Sequence, residues 1–202
     1  MSPFQMIYRR GNFVNRLVSV LKEMHFEGQR TPDTRSLNSA IAKMATSYGL
    51  HVWTKNPGDD KNQDNDHTHI SGHEWLYDLF CYRFEDENYA LSDTILIMES
   101  EWGGTRKESK YKDGNDPYGE VKFDFQKLLV SNAEIKLMVY GHHGGKEYAD
   151  EDLDHYFQSR IDAYRQGAQT DFFIFARYSY RKNGKRTCTV SSYTRNGEWK
   201  QL

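Results

Sequence analysis

The chain has 202 residues, with 27 Lys and Arg against 29 Asp and Glu, so its formal net charge is −2 at pH 7. This length suffices for one hydrophobic core, and we expect a single α/β domain over residues 1–202. The net charge argues against a protein that simply coats nucleic acid, and no apolar stretch approaches the length of about 18 residues that a membrane span needs. Because its start also lacks a signal-peptide core, the sequence predicts a cytoplasmic protein.

Two amphipathic helices are predicted at the start of the chain. Apolar side chains recur at helical spacing over residues 12–24 and again over residues 36–48, so each helix is expected to bury one stripe. Residues 50–54 are predicted to form the first strand. Residues 56–72 are polar and rich in Asp, with Gly and Pro, which predicts a long loop.

A second buried strand is predicted over residues 74–82, with Asp78 in its middle. Aspartate is depleted in strands and costly to bury, so Asp78 there needs a partner. That partner is either a metal ion or another cation, or a set of backbone N–H groups. The short polar link over residues 83–92 predicts a hairpin to the next strand.

The next predicted strand ends on two acids one residue apart. The apolar run of residues 95–98 indicates a strand buried on both faces, and Glu99 and Glu101 follow it. Residues two apart share a face, so both acids are expected where the strand leaves the core. Such carboxylates favour Mg²⁺, which needs only one or two of them beside water and phosphate. The simpler alternative is the polar end of a strand.

A helix over residues 121–133 is predicted after a loop, residues 103–120, that is rich in Gly, Lys and Asp. Lys127 lies on the shoulder of its apolar stripe, from which it can point along the sheet or into solvent. Another buried strand is predicted over residues 135–140. Loss of Lys136 on this strand is expected to have only a mild effect on activity.

This order of elements and acids resembles the catalytic core of the PD-(D/E)XK, or restriction endonuclease-like, nuclease superfamily. The family's core is helix, three strands, helix, strand, and the resemblance covers roughly residues 35–140. It implies a mixed β-sheet flanked by helices, and nuclease activity with Mg²⁺ or Mn²⁺. By position, it implies that Asp78 and Glu99 are metal ligands and that Glu101 stands where the family's lysine usually stands.

The resemblance also implies catalytic roles for Asp78, Glu99 and Glu101, and for Lys127 because other members carry a migrated lysine on the following helix. Two departures accompany it. Tyr77 stands where the family pattern has Pro, and the helix over residues 36–48 has no acid, so that acid is missing or comes from Glu23 or Glu27. These departures leave open a non-catalytic binding or accessory protein, for instance of a defence or mobile-element system.

Beyond this core, we expect a helix over residues 147–166, a strand over residues 171–178 and a terminal hairpin. Between residues 177 and 200 seven Lys or Arg accompany one acid, a mixture with aromatic residues that is typical of nucleic-acid surfaces. The interleaved aromatic residues are Tyr178, Tyr180, Tyr193 and Trp199. The residues predicted to bind nucleic acid, DNA rather than RNA, are Arg181, Lys182, Lys185 and Arg186. A solvated hairpin at a sheet edge is the alternative, and assembly as a homodimer stays open.

Five histidines lie near predicted strand ends: His67, His69, His73, His142 and His143. Imidazoles favour Zn, Ni or Fe, so a hydrolase with a His-and-carboxylate metal site is the competing enzyme. Their spacing matches no zinc-hydrolase motif on a helix, and polar surface is the plainer explanation.

Overall fold

The computed structural model describes residues 9–24, 33–54, 68–70, 76–84, 91–103, 106–107, 115–116, 118–142, 150–166, 171–180 and 186–202. Its four helices are α1 (Arg10–Glu23), α2 (Thr34–Ser47), α3 (Gly119–Val130) and α4 (Asp150–Ala163). Its strands are β1 (His51–Thr54), β2 (Thr68–Ile70), β3 (Leu79–Phe84), β4 (Leu91–Glu101), β5 (Arg106–Lys107), β6 (Asn115–Asp116), β7 (Ile135–His142), β8 (Phe172–Tyr180), β9 (Arg186–Thr194) and β10 (Lys200–Gln201). None of these four helices is both long and apolar enough to span a membrane.

Eight of the described strands form one mixed sheet, in the order β10-β9-β8-β7-β4-β3-β1-β2. The central strands β4, β7 and β8 are parallel, and α3 and α4 connect them, since parallel neighbours need a crossover. Antiparallel pairs flank them, with β3 and β1 on one side and β9 and β10 on the other. The predicted α/β architecture with a central mixed sheet is therefore confirmed.

Helices cover both faces of this sheet. One core layer contains α1 and α2, whose buried side chains include Phe13, Leu17 and Ile41. The other contains α3 and α4, with Phe125 and Phe157 among its buried side chains. A central parallel strand is therefore apolar on both sides, which explains the continuous apolar run at the centre of β4.

The alternation of side chains along β4 decides which layer each residue enters. Leu96 and Met98 pack in the layer of α1 and α2, whereas Ile97 packs in the layer of α3 and α4. Residues two apart share a face, so Glu99 and Glu101 continue the side of Ile97. The two acids therefore lie toward α3.

The predicted helices match α1 to α4 in position, and their ends have local causes. At the start of α2, Asp33 accepts a hydrogen bond from the backbone N–H of Ser36 at 3.1 Å, which satisfies one donor of the first turn. The predicted loop over residues 56–72 is wrong in part, because residues 68–70 form β2 alongside β1. That pairing depends on the β1 edge, which the composition of the segment does not reveal.

The position of Asp78 corrects a second prediction. It does not lie in the middle of a strand, because β3 begins at Leu79 and residues 76–78 form a bend. Leu76 in the same apolar run does not belong to the core either, since it is 66% exposed. Residues 74 and 75 lie outside the described part of the chain.

Lys136 of β7 is buried in the core and does not lie on the surface. Only 1% of it is exposed, and its Nζ lies 3.0 Å from Oδ2 of Asp171, just before β8. The ring of Phe173 lies 5.1 Å from the ammonium. Burial lowers the pKa of Lys136, and Asp171 opposes this effect. Loss of Lys136 would leave the buried Asp171 without this partner, so Lys136 matters to the fold, and the mild effect of its loss on activity stays a prediction.

Candidate acidic site at the end of strand β4

Strand β4 extends beyond the backbone pairing of its neighbour β3. The register pairs Leu79, the first residue of β3, with Met98, so β4 runs on through Glu99, Ser100 and Glu101. On the other side these three residues stay paired with β7. The strands that carry or adjoin Asp78 and Glu99 are thus antiparallel neighbours, as the hairpin prediction required.

Asp78 is held at this point by donors from three elements. Its Oδ2 accepts hydrogen bonds from the Ser100 backbone N–H at 2.8 Å and from the Ser100 hydroxyl at 2.7 Å. Its backbone carbonyl accepts from Oγ1 of Thr54 at 3.2 Å and from Nδ2 of Asn38 at 3.4 Å. Backbone N–H groups are the alternative to a metal partner that the sequence predicts for Asp78. That alternative is met at Oδ2, which accepts both hydrogen bonds from Ser100.

Glu99 is the most unusual residue of the site, because it is an acid with only 2% of its surface exposed. Its Oε2 lies 3.4 Å from Nζ of Lys127, while its buried Oε1 has no hydrogen-bond partner among the described residues. Burial raises the pKa of Glu99 to about 8, the negative charge of Asp78 adds to this, and Lys127 opposes it. An unpaired buried oxygen is costly, so Oε1 calls for a proton or a cation.

A polar stripe on α3 faces the end of β4. Glu120, Asp124, Lys127 and Ser131 recur at helical spacing, one position before the apolar stripe that starts at Val121. Within the stripe, Nζ of Lys127 lies 2.9 Å from Oδ1 of Asp124. Of the two directions predicted for Lys127, along the sheet or into solvent, the structure has the first, since its Nζ lies 3.4 Å from Oε2 of Glu99. Asp124 was not predicted, although its spacing of three residues from Lys127 on the same stripe was a usable signal.

Glu101 shares the face of Glu99 but has different surroundings. Its Oε1 accepts a hydrogen bond from the Gly103 backbone N–H at 2.9 Å. Burial raises the pKa of Glu101, the Gly103 bond opposes this, and the negative charges of Asp124 and Glu120 add to it. Glu101 therefore lies near the first half of α3, whereas Glu99 lies near Lys127, so α3 and β4 run in opposite directions.

Tyr77, which stands where the resembled family has Pro, borders the same site. Burial raises the pKa of the Tyr77 hydroxyl, and Glu99 adds to this, while a hydrogen bond with Ser131 and the charge of Lys127 oppose it. The bend before β3 and the end of α3 thus meet beside Glu99.

The metal ligands predicted by resemblance are two carboxylates, those of Asp78 and Glu99. Among the described residues, no group of three or more His, Cys, Asp or Glu side chains is arranged to hold a metal ion. Of the acids considered in place of the missing helix acid, Glu23 ends α1, which packs on α2 and β9, and Glu27 lies outside the described residues. The helix acids that act on this site are Asp124 and Glu120 of α3.

The histidines of the competing hydrolase hypothesis are not placed by the described side chains. His69 and His142 belong to the backbone of β2 and β7, but their side chains lie outside the described part. The same holds for all of His67, His73 and His143. That hypothesis stays a prediction.

The aromatic part of the predicted nucleic-acid surface is wrong for two of its residues. Tyr178 and Tyr193 are each 1% exposed, and their hydroxyls donate to the Leu21 carbonyl at 2.7 Å and to Asp162 at 2.8 Å. The ring of Trp199 stacks on the buried Phe175 at 4.8 Å between centroids. Tyr178 packs in the layer of α1 and α2, and Tyr193 and Trp199 pack in the layer of α3 and α4, so helices cover both faces of the sheet here. The basic residues Arg181, Lys182 and Lys185 lie outside the described residues, as do the side chains of Arg186 and Tyr180.

Taken by its chemistry, the site combines hard oxygen donors with one fixed ammonium group. Asp78 and Glu99 lie close enough for the charge of one to raise the pKa of the other. Lys127 is a third exposed and contacts Glu99 and Asp124. Such a set can bind a cation and an anionic group side by side.

Comparisons of this chain with family models, curated proteins and solved structures find no significant match.

Proposed function

We propose that this protein is a metal-dependent nuclease that hydrolyses phosphodiester bonds, with DNA as its preferred substrate. The observation that carries the proposal is the buried Glu99, which lies beside Asp78 and contacts Lys127 through one carboxylate oxygen only. A buried acid in this state is costly to the fold, and acids of this kind cluster at functional sites.

The topology around Glu99 supports the resemblance to the PD-(D/E)XK core. Its elements follow the order α2, β1, β3, β4, α3, β7 once the short β2, β5 and β6 are set aside. In the sheet β1, β3 and β4 are antiparallel neighbours, and β7 is parallel to β4 across α3. The family's first acid and second acid correspond to Asp78 and Glu99 in this frame.

Asp78 and Glu99 are the residues that would hold Mg²⁺ or Mn²⁺. The buried Oε1 of Glu99 without a partner fits this ion, as do two carboxylates rather than three, because water and phosphate complete its coordination. A divalent ion supplies positive charge to the phosphate and lowers the pKa of a water molecule. The site needs no further protein ligand for this.

Lys127 would then offset the charge that grows on the phosphate oxygens in the transition state. Burial alone would lower the pKa of Lys127, but the bonds and charges of Asp124 and Glu99 outweigh it and raise the pKa. The amine is therefore charged at neutral pH and acts as a cation rather than as a base.

The test is cleavage of supercoiled and linear DNA by Asp78→Asn and Glu99→Gln in Mg²⁺, in Mn²⁺ and in EDTA. Asparagine keeps an acceptor for Ser100, so the fold is retained while a charge is lost. Asp93→Asn, at the exposed far end of the same strand β4, is the matched control. We expect cleavage by the parent and the control in both metals, none in EDTA, and at least about 10²-fold slower cleavage by the two site variants. Unchanged cleavage by both site variants would assign the activity to another site or to a contaminant.

The alternative is a protein of the same fold that binds nucleic acid or a partner without catalysis. One observation favours it: Glu101 stands where the resembled family usually has lysine. The same assay separates the two. Binding of DNA by the parent, with no cleavage in either metal, would support the non-catalytic protein.

A further inference from the structure

We infer that Ser100, the residue between the two acids of β4, is a positioning residue that fixes the Asp78 carboxylate for a divalent ion. The inference rests on the metal site of the proposed function. It adds a residue that the resemblance does not assign, because Ser100 acts through Asp78 and contacts no ion itself.

The geometry that carries this inference is the convergence of two donors on one oxygen. The Ser100 N–H and hydroxyl reach Oδ2 of Asp78 at 2.8 and 2.7 Å, and no hydrogen bond to Oδ1 is found within the described residues. Hydrogen bonds to a charged acceptor are short and strong, and two of them stop the carboxylate from rotating about its last bond. Oδ2 therefore accepts its hydrogen bonds from β4, and Oδ1 is the oxygen that stays available to a cation.

The end of β3 explains why Ser100 is the donor. Backbone pairing between β3 and β4 ends at Leu79 and Met98, so the Ser100 N–H has no strand partner on that side. A partly buried N–H of this kind needs an acceptor, and the bend of residues 76–78 brings Asp78 to it. The hydroxyl adds a second bond that the backbone does not require.

The side chains of Thr54 and Asn38 hold the backbone of Asp78 rather than its carboxylate. Both donate to the Asp78 backbone carbonyl, at 3.2 and 3.4 Å, so they fix the main chain of the bend. Ser100 holds the side chain. Loss of the Ser100 hydroxyl should therefore loosen the carboxylate while the bend stays in place, which predicts weaker metal binding with an intact fold.

The experiment measures Mn²⁺ binding to the whole protein by electron paramagnetic resonance, beside DNA cleavage over a range of Mg²⁺ concentrations. We expect Ser100→Ala to weaken Mn²⁺ binding by about tenfold or more, as loss of groups that orient metal ligands does. Ser100→Thr keeps the hydroxyl and should bind like the parent. Cleavage by Ser100→Ala should recover at high Mg²⁺, because the defect lies in binding the ion.

Ser92→Ala is the matched control, since Ser92 lies at the other end of β4 and its hydroxyl donates to the Arg83 carbonyl of β3 at 3.3 Å. It removes a similar link between the two strands and should leave Mn²⁺ binding unchanged. If Ser100→Ala does not fold, Ser100→Cys decides, because a thiol is a weaker donor of similar size and should also weaken binding.

Three results would overturn the inference: Mn²⁺ binding by Ser100→Ala or Ser100→Cys as tight as in the parent, equal losses in Ser100→Ala and Ser92→Ala, or a Ser100→Thr variant as weak as alanine. A parent that binds no Mn²⁺ removes the metal site and the inference together. A parent that binds Mn²⁺ and cleaves nothing, with binding weakened in Ser100→Ala, supports the inference and contradicts the nuclease.

Discussion

Lys127 is the residue whose charge is best isolated by substitution. Its ammonium contacts Glu99 and Asp124 and is partly exposed, so alanine leaves the core of α3 intact. We expect Lys127→Ala to lower the turnover of DNA cleavage by about 10²- to 10³-fold with little change in DNA affinity, because the interaction it removes belongs to the transition state. Single-turnover cleavage and fluorescence anisotropy measure the two quantities. Lys43→Ala, on the exposed side of α2, is the control, and cleavage by Lys127→Ala at the parent's rate would contradict the assignment.

Glu99 predicts how stability depends on pH in the absence of metal. Its pKa is 4.5 when unperturbed and about 8 in the folded protein. Only the folded state holds the proton between these values, so stability falls as pH rises from 4.5 to 8, and the loss is complete above 8.

Glu99→Gln removes this dependence, because glutamine does not titrate. Relative to the parent, the variant should gain stability on the order of 3 kcal/mol between pH 5 and pH 9 in EDTA. Urea unfolding at both pH values measures the difference. Mg²⁺ should stabilise the parent at pH 9 and leave Glu99→Gln unchanged. A difference in unfolding free energy between the two proteins that does not grow between the two pH values would contradict the raised pKa of Glu99.

At the scale of elements, the ion pair of Lys136 and Asp171 joins β7 to the start of β8. Because both charges are buried, we expect Lys136→Ala to lower the unfolding free energy by about 3 to 5 kcal/mol, since Asp171 is left buried without its cation. Lys136→Met combined with Asp171→Asn removes both charges and should be more stable than the single variant. Denaturant unfolding measures these differences. A cost below about 1 kcal/mol for Lys136→Ala is typical of a solvent-exposed ion pair and would contradict the prediction.

Tyr193 connects β9 to α4 through its hydrogen bonds with Asp162. Tyr193→Phe should lower the unfolding free energy by about 1 to 2 kcal/mol, because the bond to a charged acceptor is removed while the ring stays packed. DNA affinity should not change, since the ring lies in the core and cannot stack on bases. Weaker DNA binding by Tyr193→Phe at unchanged stability would contradict this prediction and indicate that Tyr193 contacts nucleic acid.

The sequence predicted those elements whose pattern is regular over several turns or whose run is fully apolar. The stripes of α1, α2 and α3 and the apolar runs of β4 and β7 give their positions within a few residues. The spacing of Glu99 and Glu101 also gave their common face. Strand periodicity cannot say whether helices cover one face or both, so the burial of Tyr178 and Tyr193 on opposite faces was not predictable from the sequence alone.

Asp78 and Asp124 show two further limits at the candidate site. The letters around Asp78 form one apolar run, and the start of β3 within it depends on where pairing with β4 ends. Asp124 was detectable by its spacing from Lys127, but its relevance follows only from the approach of α3 to β4. Tertiary contacts decide both features.

For the molecule as a whole, a net charge of −2 means that any binding of DNA must depend on a local excess of cations. We expect neutralisation of the predicted basic turn to weaken DNA binding and to reduce its salt dependence, by about 0.9 in log–log slope for each phosphate that the turn no longer neutralises. The substitutions are Arg181→Gln, Lys182→Gln, Lys185→Gln and Arg186→Gln together.

A control with the same net charge tests whether position matters. It neutralises four exposed cations, one just before α1 and three on α1 and α2: Arg9, Arg16, Arg35 and Lys43. Fluorescence anisotropy across a range of NaCl concentrations gives both slopes. Equal losses of affinity in the two proteins would mean that DNA responds to total charge and not to the terminal hairpin.

Position 101 has a consequence for how such a site can change over evolutionary time. Glu101 lies near Asp124 and Glu120, so a positive side chain there would find two counter-charges already in place. The helix therefore supports a cation in either of two places, its own position 127 or the end of the neighbouring strand. A lineage could gain the strand lysine before losing the helix lysine, and every intermediate protein would keep a positive charge beside the acids. Exchange of this kind leaves the surrounding architecture unchanged while the sequence motif disappears.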